Sequence, residues 1–120
     1  MKLAVPSETD ACLDSMRSGH FGHTPWFTIV DIQDGQVVSA TPLKNVDHDA
    51  VGCGGVIDFM LQQDIDGILT VGMGMPPYTR FTNGGVKVYT DGTAPYVGQA
   101  VQLFIEGKVP EMRLDQACRH

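Results

Sequence analysis

The sequence has little positive charge, few cysteines and no long apolar run. Eight lysine and arginine residues stand against fourteen aspartate and glutamate residues, for a net charge of −6, so binding to nucleic acid through its phosphates is not expected. The three cysteines are widely spaced and odd in number, which indicates neither a disulfide framework nor an all-cysteine zinc site. No window approaches the roughly eighteen consecutive apolar residues of a membrane span, and Pro6 interrupts the N-terminus before a signal-peptide core can form. We therefore expect a cytoplasmic protein without nucleic-acid or membrane partners.

The composition is that of a packed domain. The chain has 120 residues, of which 42% are hydrophobic and 18% charged, and a domain of this size buries about two-thirds of its unfolded surface. We assign residues 1–107 to a single α/β domain and residues 108–120 to a loosely structured C-terminal tail, in which Met112 and Leu114 pack on the surface. We expect a monomer.

The first half of the chain predicts strands. Residues 2–6 form a short apolar run that Pro6 ends, and a long polar loop follows over residues 7–25. Residues 26–32 are rich in β-branched and aromatic types, and Asp34-Gly35 separates them from a second such run at 36–41. This pattern predicts a β-hairpin.

The second half predicts alternating helices and strands. After a polar connection over residues 42–51, the glycine-rich segment 52–55 is expected to be the turn that enters a helix. A buried strand at 66–71, a helix from Pro76 to about Asn83 and a strand at 86–89 follow. The last predicted helix spans residues 93–105, with Thr93 as its cap. Such alternation requires right-handed parallel crossovers, so we predict a five-stranded mixed sheet with the hairpin at one edge and helices on its faces.

The residues with metal-binding chemistry lie on the loops of this arrangement. His20 and His23 stand three residues apart in a glycine-rich loop, and imidazole is the commonest metal ligand. Ligands of open α/β sheets bind beyond the carboxyl ends of the strands, where glycine turns and helix N-termini attract anions. The nitrogen and sulfur donors on these loops suit transition metals better than magnesium or calcium; they are His20, His23, His48, Cys53, Met73 and Met75. Nucleotide binding is not expected, because neither phosphate-binding glycine motif is present.

Each of these side chains also has a simpler interpretation. Cys53 can be explained as a small packing residue as well as a ligand, and Met73 and Met75 can be explained as side chains that fill gaps in the core. His48, between two aspartates, fits a solvated side chain. Arg80 and Lys44 fit solvated charges as well as contacts to a bound anion. Arg17 or Arg80 is expected to help neutralise the charge of such an anion.

Seven short segments stand in a characteristic order along the chain. They are Met-Lys-Leu-Ala-Val-Pro at 1–6, His-Phe-Gly at 20–22, Pro-Trp-Phe at 25–27, Gly-x-Gly at 52–54, Asp-Gly-Ile-Leu at 66–69, Gly-Met-Gly at 72–74 and Gly-Val-Lys-Val-Tyr at 85–89. This order resembles the dinitrogenase iron-molybdenum cofactor biosynthesis family, and the resemblance covers almost the whole chain up to about Gly107. That family includes the nitrogenase accessory carriers NifX and NafY, the C-terminal part of NifB and the orange protein, which carries a molybdenum-copper sulfide cluster.

The resemblance implies a ribonuclease H-like α/β fold that carries an anionic metal-sulfur cluster, molybdenum with iron or copper, without catalysing a reaction. A protein that donates or receives the cofactor is the implied partner. Nuclease activity is not expected, because the first strand has no carboxylate for a magnesium pair and Asp66 stands alone before the fourth strand. The residues expected to bind the cluster are His20, Phe21, Gly22, His23, His48, Gly52, Cys53, Gly54, Gly72, Met73 and Gly74. Direct metal ligands are expected among His20, His23 and Cys53.

Two other functions remain compatible with the sequence. The first is a mononuclear site of His20, His23 and Cys53, with zinc as the default ion. The second is a regulatory or scaffolding domain without metal, whose glycine turns serve only the fold.

Overall fold

The strands and helices follow the predicted order. The computed structural model describes residues 1–19, 21–46 and 48–112, and for residues 48–53 it describes the backbone alone. In this part of the chain the strands are β1 Lys2–Ser7, β2 Trp26–Gln33, β3 Gln36–Lys44, β4 Gly67–Thr70 and β5 Lys87–Thr90. The α-helices are α1 His48–Leu61, α2 Met75–Asn83 and α3 Val97–Ile105, and a short 3-10 turn spans Cys12–Asp14. None of these described helices has the length and apolar character needed to cross a membrane.

The strands form one mixed sheet in the order β3-β2-β1-β4-β5. β2 is antiparallel to both β1 and β3, whereas β4 is parallel to β1 and to β5. The predicted hairpin is confirmed: Asp34 and Gly35 both have positive φ, 53° and 74°, as a two-residue turn of the type that matches strand twist requires. The five-stranded mixed α/β sheet with the hairpin at one edge is therefore as expected.

Each face of the sheet carries its own hydrophobic core. Side chains alternate between the faces along each strand, so that Ala4 and Ile68 belong to one core while Leu3, Val5 and Leu69 belong to the other. The first core is completed by α1 and α2 through Val56, Ile57, Met60 and Phe81. The second is completed by α3 through Val97, Ala100 and Val101.

The start of α1 differs from the prediction. The polar connection expected at 42–51 is shorter, because β3 extends to Lys44 and α1 begins at His48. The glycine-rich segment 52–55 consequently lies inside α1 and is not a turn that enters it. Each glycine costs a helix only about 1 kcal/mol relative to alanine, and burial of Val56, Ile57 and Met60 against the sheet offsets that cost.

The start of α3 also differs from the prediction. Thr93 does not cap the helix, which begins at Val97. The Oγ1 of Thr93 instead donates to Asp91 Oδ1 at 2.7 Å, and its backbone N–H donates to Asp91 Oδ2 at 3.2 Å. Asp91 thus holds Thr93 in the turn that follows β5, and the helix starts one turn later, where the side chain of Gln99 accepts the N–H of Tyr96.

The first residues of the predicted tail are packed on the domain. The N–H of Met112 donates to Val88 O at 2.6 Å, and Thr90 donates its N–H to Pro110 O at 3.1 Å. Met112 is buried in the core beneath α1 and α2, which corrects its expected place on the surface. Backbone hydrogen bonds between the segment 110–112 and the outer edge of β5 hold the start of the tail on the domain. The sequence pattern does not predict these hydrogen bonds. Leu114 lies outside the described residues.

Candidate ligand-binding cavity

A cavity of about 800 Å³ lies beside the carboxyl ends of β1 and β4. One wall is the loop that follows β1, through Gly19, Phe21, Gly22 and His23. The turn after β4 forms a second wall, and α1 and α2 form the remaining sides. Their lining residues are Val71, Gly72, Met73 and Gly74 from the turn, Gly54 and Ile57 from α1, and Pro76, Pro77 and Arg80 from α2. The cavity therefore opens at the end of the sheet where the sequence predicts a binding site.

The ring of Phe21 fixes the first wall to the core. Phe21 is buried, and its ring packs edge-on against Phe27 at 5.9 Å and against Phe81 at 5.4 Å between ring centroids. Phe27 comes from the sheet and Phe81 from α2. Such edge-to-face pairs stabilise by about 0.5–1.5 kcal/mol beyond area burial, so the loop is held at its middle.

Hydrogen bonds hold the end of the same loop. Asn45, which follows β3, donates through Nδ2 to Thr24 O at 2.8 Å and to Gly22 O at 3.3 Å. The buried Thr24 hydroxyl lies 2.9 Å from both Ser7 O and Trp26 O, at the ends of β1 and β2. The loop is long, but its backbone between Gly22 and Pro25 is attached to three strands.

The second wall is a tight turn after β4. Thr70 Oγ1 accepts the N–H of Gly72 at 3.2 Å and donates to Gly72 O at 2.9 Å, which is a local side-chain turn typical of threonine. A Cβ built on Gly72 meets no atom within 4 Å, so the open side of this glycine faces unfilled space. Met73 is buried in the core and also lines the cavity, in agreement with the gap-filling interpretation of this side chain.

The N-terminus of α2 lies at the cavity. α2 begins there, with Gly74 as its N-cap. Because Pro76 and Pro77 have no N–H, the first turn of α2 offers an anion its dipole and few backbone donors. α1 contributes Gly54 and Ile57 from its side, and its N-terminus at His48 lies a full turn and more before them. The glycine-rich segment 52–55 is therefore not the helix N-terminus that the sequence predicts at the site.

Among the described lining residues, the ionisable side chains are His23 and Arg80, and there is no aspartate and no glutamate. The chain as a whole carries a net charge of −6. Arg80 lies on α2 one turn after Pro76, and its guanidinium forms an ion pair with Asp58 of α1. The other described lining residues are apolar or glycine, and the carboxylate paired with Arg80 belongs to Asp58, which is not among them.

Arg17 does not line the cavity, which removes one of the two arginines expected to neutralise a bound anion. Its side chain is 3% exposed, and Nη1 donates to Asp91 Oδ2 at 3.0 Å and to Ala94 O at 3.1 Å. Burial lowers the pKa of Arg17, against the opposing effect of Asp91. Arg17 thus joins the loop after β1 to the turn after β5, which is a structural role.

Most of the predicted site residues come together. The cavity is lined by Phe21, Gly22, His23, Gly54, Gly72, Met73 and Gly74. His20 lies outside the described residues, and so do the side chains of His48 and Cys53 and all but the backbone of Gly52. No three histidine, cysteine, aspartate or glutamate side chains within the described part of the chain are grouped as a metal site requires; this leaves the set of His20, His23 and Cys53 a prediction.

Sequence reasoning did not name Ile57 of α1 or Pro76 of α2 as site residues, although both line the cavity. Ile57 is three residues after the predicted Gly54, and Pro76 is four before the predicted Arg80, so each pair lies on one helix face. Residues three or four positions from the predicted glycines and prolines could have been assigned to the same helix face. This reasoning was possible for α2, whose start was predicted correctly. It was not possible for α1, because its start was predicted wrongly.

Comparison with known proteins identifies a family and relatives of this chain. Residues 1–107 match the family model described as dinitrogenase iron-molybdenum cofactor. The uncharacterized protein MJ0580 of Methanocaldococcus jannaschii is 26% identical over 111 residues, which cover 91% of this chain and 89% of that protein.

Two solved structures have the same fold. The crystal structure of PH0822 superposes with a TM-score of 0.79 at 27% identity, covering 93% of this chain and 96% of that one. The apo form of the orange protein from Desulfovibrio gigas superposes with a TM-score of 0.78 at 25% identity and covers 92% of each chain. On the match over residues 1–107, this chain belongs to the dinitrogenase iron-molybdenum cofactor family.

Proposed function

We propose that this protein is a non-catalytic carrier that binds an anionic metal-sulfur cluster, molybdenum with iron or copper, in the cavity between the loop after β1 and the turn after β4. The observation that carries the proposal is the charge of the lining. In a protein of net charge −6, the described residues that line the cavity include His23 and Arg80 and no carboxylate. A site of this kind favours an anion and disfavours a hydrated cation.

The size of the cavity supports a cargo of several atoms. About 800 Å³ is in the range of cavities that hold multi-atom ligands, and far exceeds what a single ion needs. The family and the likeness to the orange protein support a role in cofactor handling. The fold label that the resemblance implies, ribonuclease H-like, is compatible with a sheet in which β2 runs antiparallel to its two neighbours.

The cargo would be held by electrostatics and by few direct ligands. Arg80 and the N-terminal end of α2 supply positive potential, while His20, His23 and Cys53 are the proposed direct ligands. The remaining proposed contacts are those of the glycine turns and of Phe21, Met73 and His48. A protein that gives up or accepts the cluster is the proposed partner.

Metal and acid-labile sulfide content, with a visible spectrum, test the proposal directly. The protein is isolated without oxygen, and the apo form is then offered tetrathiomolybdate with copper or iron. We expect molybdenum and sulfide retained in fixed ratio with new visible bands. Zinc without sulfide would replace the proposal by a mononuclear site, and absence of any metal under both conditions would contradict it.

Filling the cavity from Gly72 is expected to block cargo without harming the fold. A side chain at this position enters open space, so Gly72→Ala and Gly72→Leu should leave the free energy of unfolding within about 0.5 kcal/mol of wild type. Gly72→Ala should weaken the binding of tetrathiomolybdate slightly, and Gly72→Leu should weaken it more. For Gly72→Leu we expect about a tenfold loss of affinity, equivalent to about 1.4 kcal/mol of binding free energy. Absorbance titration measures the binding and urea unfolding measures the stability.

Gly92→Leu is the matched control for this series. A Cβ at Gly92 comes no closer than 3.9 Å to Val71 Cγ1, and Gly92 is not among the residues that line the cavity. It should bind as wild type does. Equal binding by Gly72→Leu and wild type would mean that the cargo lies elsewhere.

A further inference from the structure

The guanidinium of Arg80 is held at the edge of the cavity by a carboxylate that does not line it. Nη2 of Arg80 donates to Asp58 Oδ1 in the ion pair, and Nη1 donates to Gly54 O at 3.4 Å. Gly54 and Asp58 are four residues apart on one face of α1, opposite Arg80 on α2. Asp58 is absent from the cavity lining, whereas Arg80 and Gly54 belong to it.

The ion pair between Arg80 and Asp58 is weak enough for another anion to replace Asp58. The side chains of Arg80 and Asp58 are 43% and 58% exposed, and exposed pairs of this kind are weak because water and salt screen them. The bond to Gly54 is at the long limit of hydrogen-bond length. The planar guanidinium is always charged and presents several donors to an anion, so little opposes an exchange of Asp58 for another negative partner.

We propose that the Asp58–Arg80 pair is a latch that a multiply charged anion opens when it enters the cavity. This inference rests on the proposed function, and it names the residue that limits affinity at the same site. A singly charged anion would replace Asp58 charge for charge and gain little, whereas a doubly charged anion attracts Arg80 more strongly than one carboxylate does. Asp58 then recaptures Arg80 as the cargo leaves, which keeps binding reversible, as a carrier requires.

Removal of Asp58 should tighten binding, and only when Arg80 is present. Absorbance titration of the apo protein with tetrathiomolybdate, a dianion, compares wild type with Asp58→Asn, Arg80→Gln and the double variant. Asp58→Asn should bind about threefold more tightly, since an exposed pair of this strength no longer competes. Arg80→Gln should bind about tenfold more weakly, and the double variant should match Arg80→Gln.

The double variant separates the latch from simple repulsion. If Asp58 acted only as a distant negative charge, its removal would tighten binding by the same factor with or without Arg80, and that result would overturn the latch. Unchanged or weaker binding by Asp58→Asn would overturn it as well. Glu106→Gln, which removes a carboxylate paired with Lys108 and absent from the cavity, should bind as wild type does.

Failure of the latch is distinguishable from failure of the proposed function. Wild-type protein that binds tetrathiomolybdate while Asp58→Asn shows no gain would refute the latch alone. Wild-type protein that binds no tetrathiomolybdate would refute the carrier and the latch together. Both helices keep their core residues in these variants, and urea unfolding verifies that each variant is folded.

Discussion

Replacing Asp91 by asparagine is expected to lower the free energy of unfolding by about 3–5 kcal/mol, the usual cost of leaving a buried charge without its partner. The charge left behind is that of Arg17, whose side chain is 3% exposed. Asp91 Oδ2 accepts hydrogen bonds from Arg17 and from the N–H groups of Thr93 and Ala94. An asparagine can keep its amide oxygen on these donors, but it has no negative charge to compensate the buried guanidinium of Arg17.

The same variant should have a different acid profile. Burial by itself raises the pKa of the Asp91 carboxyl, but the hydrogen bonds from Ala94 and Thr93 and the charge of Arg17 outweigh it, so the pKa lies below its usual value. A carboxyl with a lowered pKa in the folded state stabilises fully above its unfolded pKa of about 3.9, and this contribution is lost as the pH falls through the folded value. The difference in unfolding free energy between wild type and Asp91→Asn should therefore be constant near neutral pH and shrink in acid.

Urea unfolding between pH 7 and pH 3 measures both effects. Glu106→Gln is the matched control, because it removes a carboxylate whose contacts with Lys108 and Gln102 are exposed and should change stability far less than Asp91→Asn does. If Asp91→Asn does not fold, the double variant Arg17→Met/Asp91→Asn, which also removes the buried charge, should recover part of the lost stability. A loss below about 1 kcal/mol for Asp91→Asn would show that the pair is no stronger than a surface ion pair.

The parts of the fold that the sequence predicts correctly are those with local signals. The Asp34-Gly35 turn between two β-branched runs fixes the hairpin by backbone conformation alone. The start of α2 is marked by two prolines after a glycine, and its end by Gly84 and by Gly85, which has positive φ. In each case the residues that carry the signal also form the structure.

The errors arise where tertiary contacts override local preference. The glycines at 52–55 predict a turn, but packing of the following apolar residues carries α1 through them. Thr93 predicts a helix cap, but Asp91 holds its hydroxyl and N–H, and Asp91 is itself fixed by Arg17, which is 74 residues away in the sequence. Met112 reaches the core because the chain from Pro110 pairs with β5. No local pattern encodes such contacts.

The candidate site also combines features that the sequence predicts with features that depend on tertiary contacts. The rule that ligands bind at the carboxyl ends of strands, together with the glycine turns, predicts where the cavity is. The sequence does not predict which charged side chains line the cavity, because nothing in the segments around Arg17 and Arg80 distinguishes the two arginines. The structure buries Arg17 against Asp91 and leaves Arg80 at the cavity beside Asp58, and this difference depends on which helices and loops become neighbours.

Phe21 joins the stability of the domain to the shape of the cavity, and Phe21→Ala should therefore damage both. The ring is 6% exposed and contacts Phe27 and Phe81, so its removal should cost about 3 kcal/mol of unfolding free energy. The loop then loses its aromatic contacts with the core, although the hydrogen bonds of Thr24 and Asn45 remain. The cavity wall that Phe21 forms is lost with those contacts. We expect tetrathiomolybdate to bind about tenfold more weakly, with urea unfolding and absorbance titration as the two measurements.

Phe104→Ala is the control that separates the two effects. Phe104 makes a similar edge-on contact, with Tyr89 at 4.8 Å, but packs with the core on the opposite face of the sheet. Its removal should also lower stability, yet the cavity and its binding of tetrathiomolybdate should be preserved. If both variants bind as wild type does, the loop after β1 is no wall of the cargo site. If both lose binding equally, the loss reflects general destabilisation. Loss confined to Phe21→Ala means that the aromatic ring which anchors the loop also shapes the space where the cargo is held.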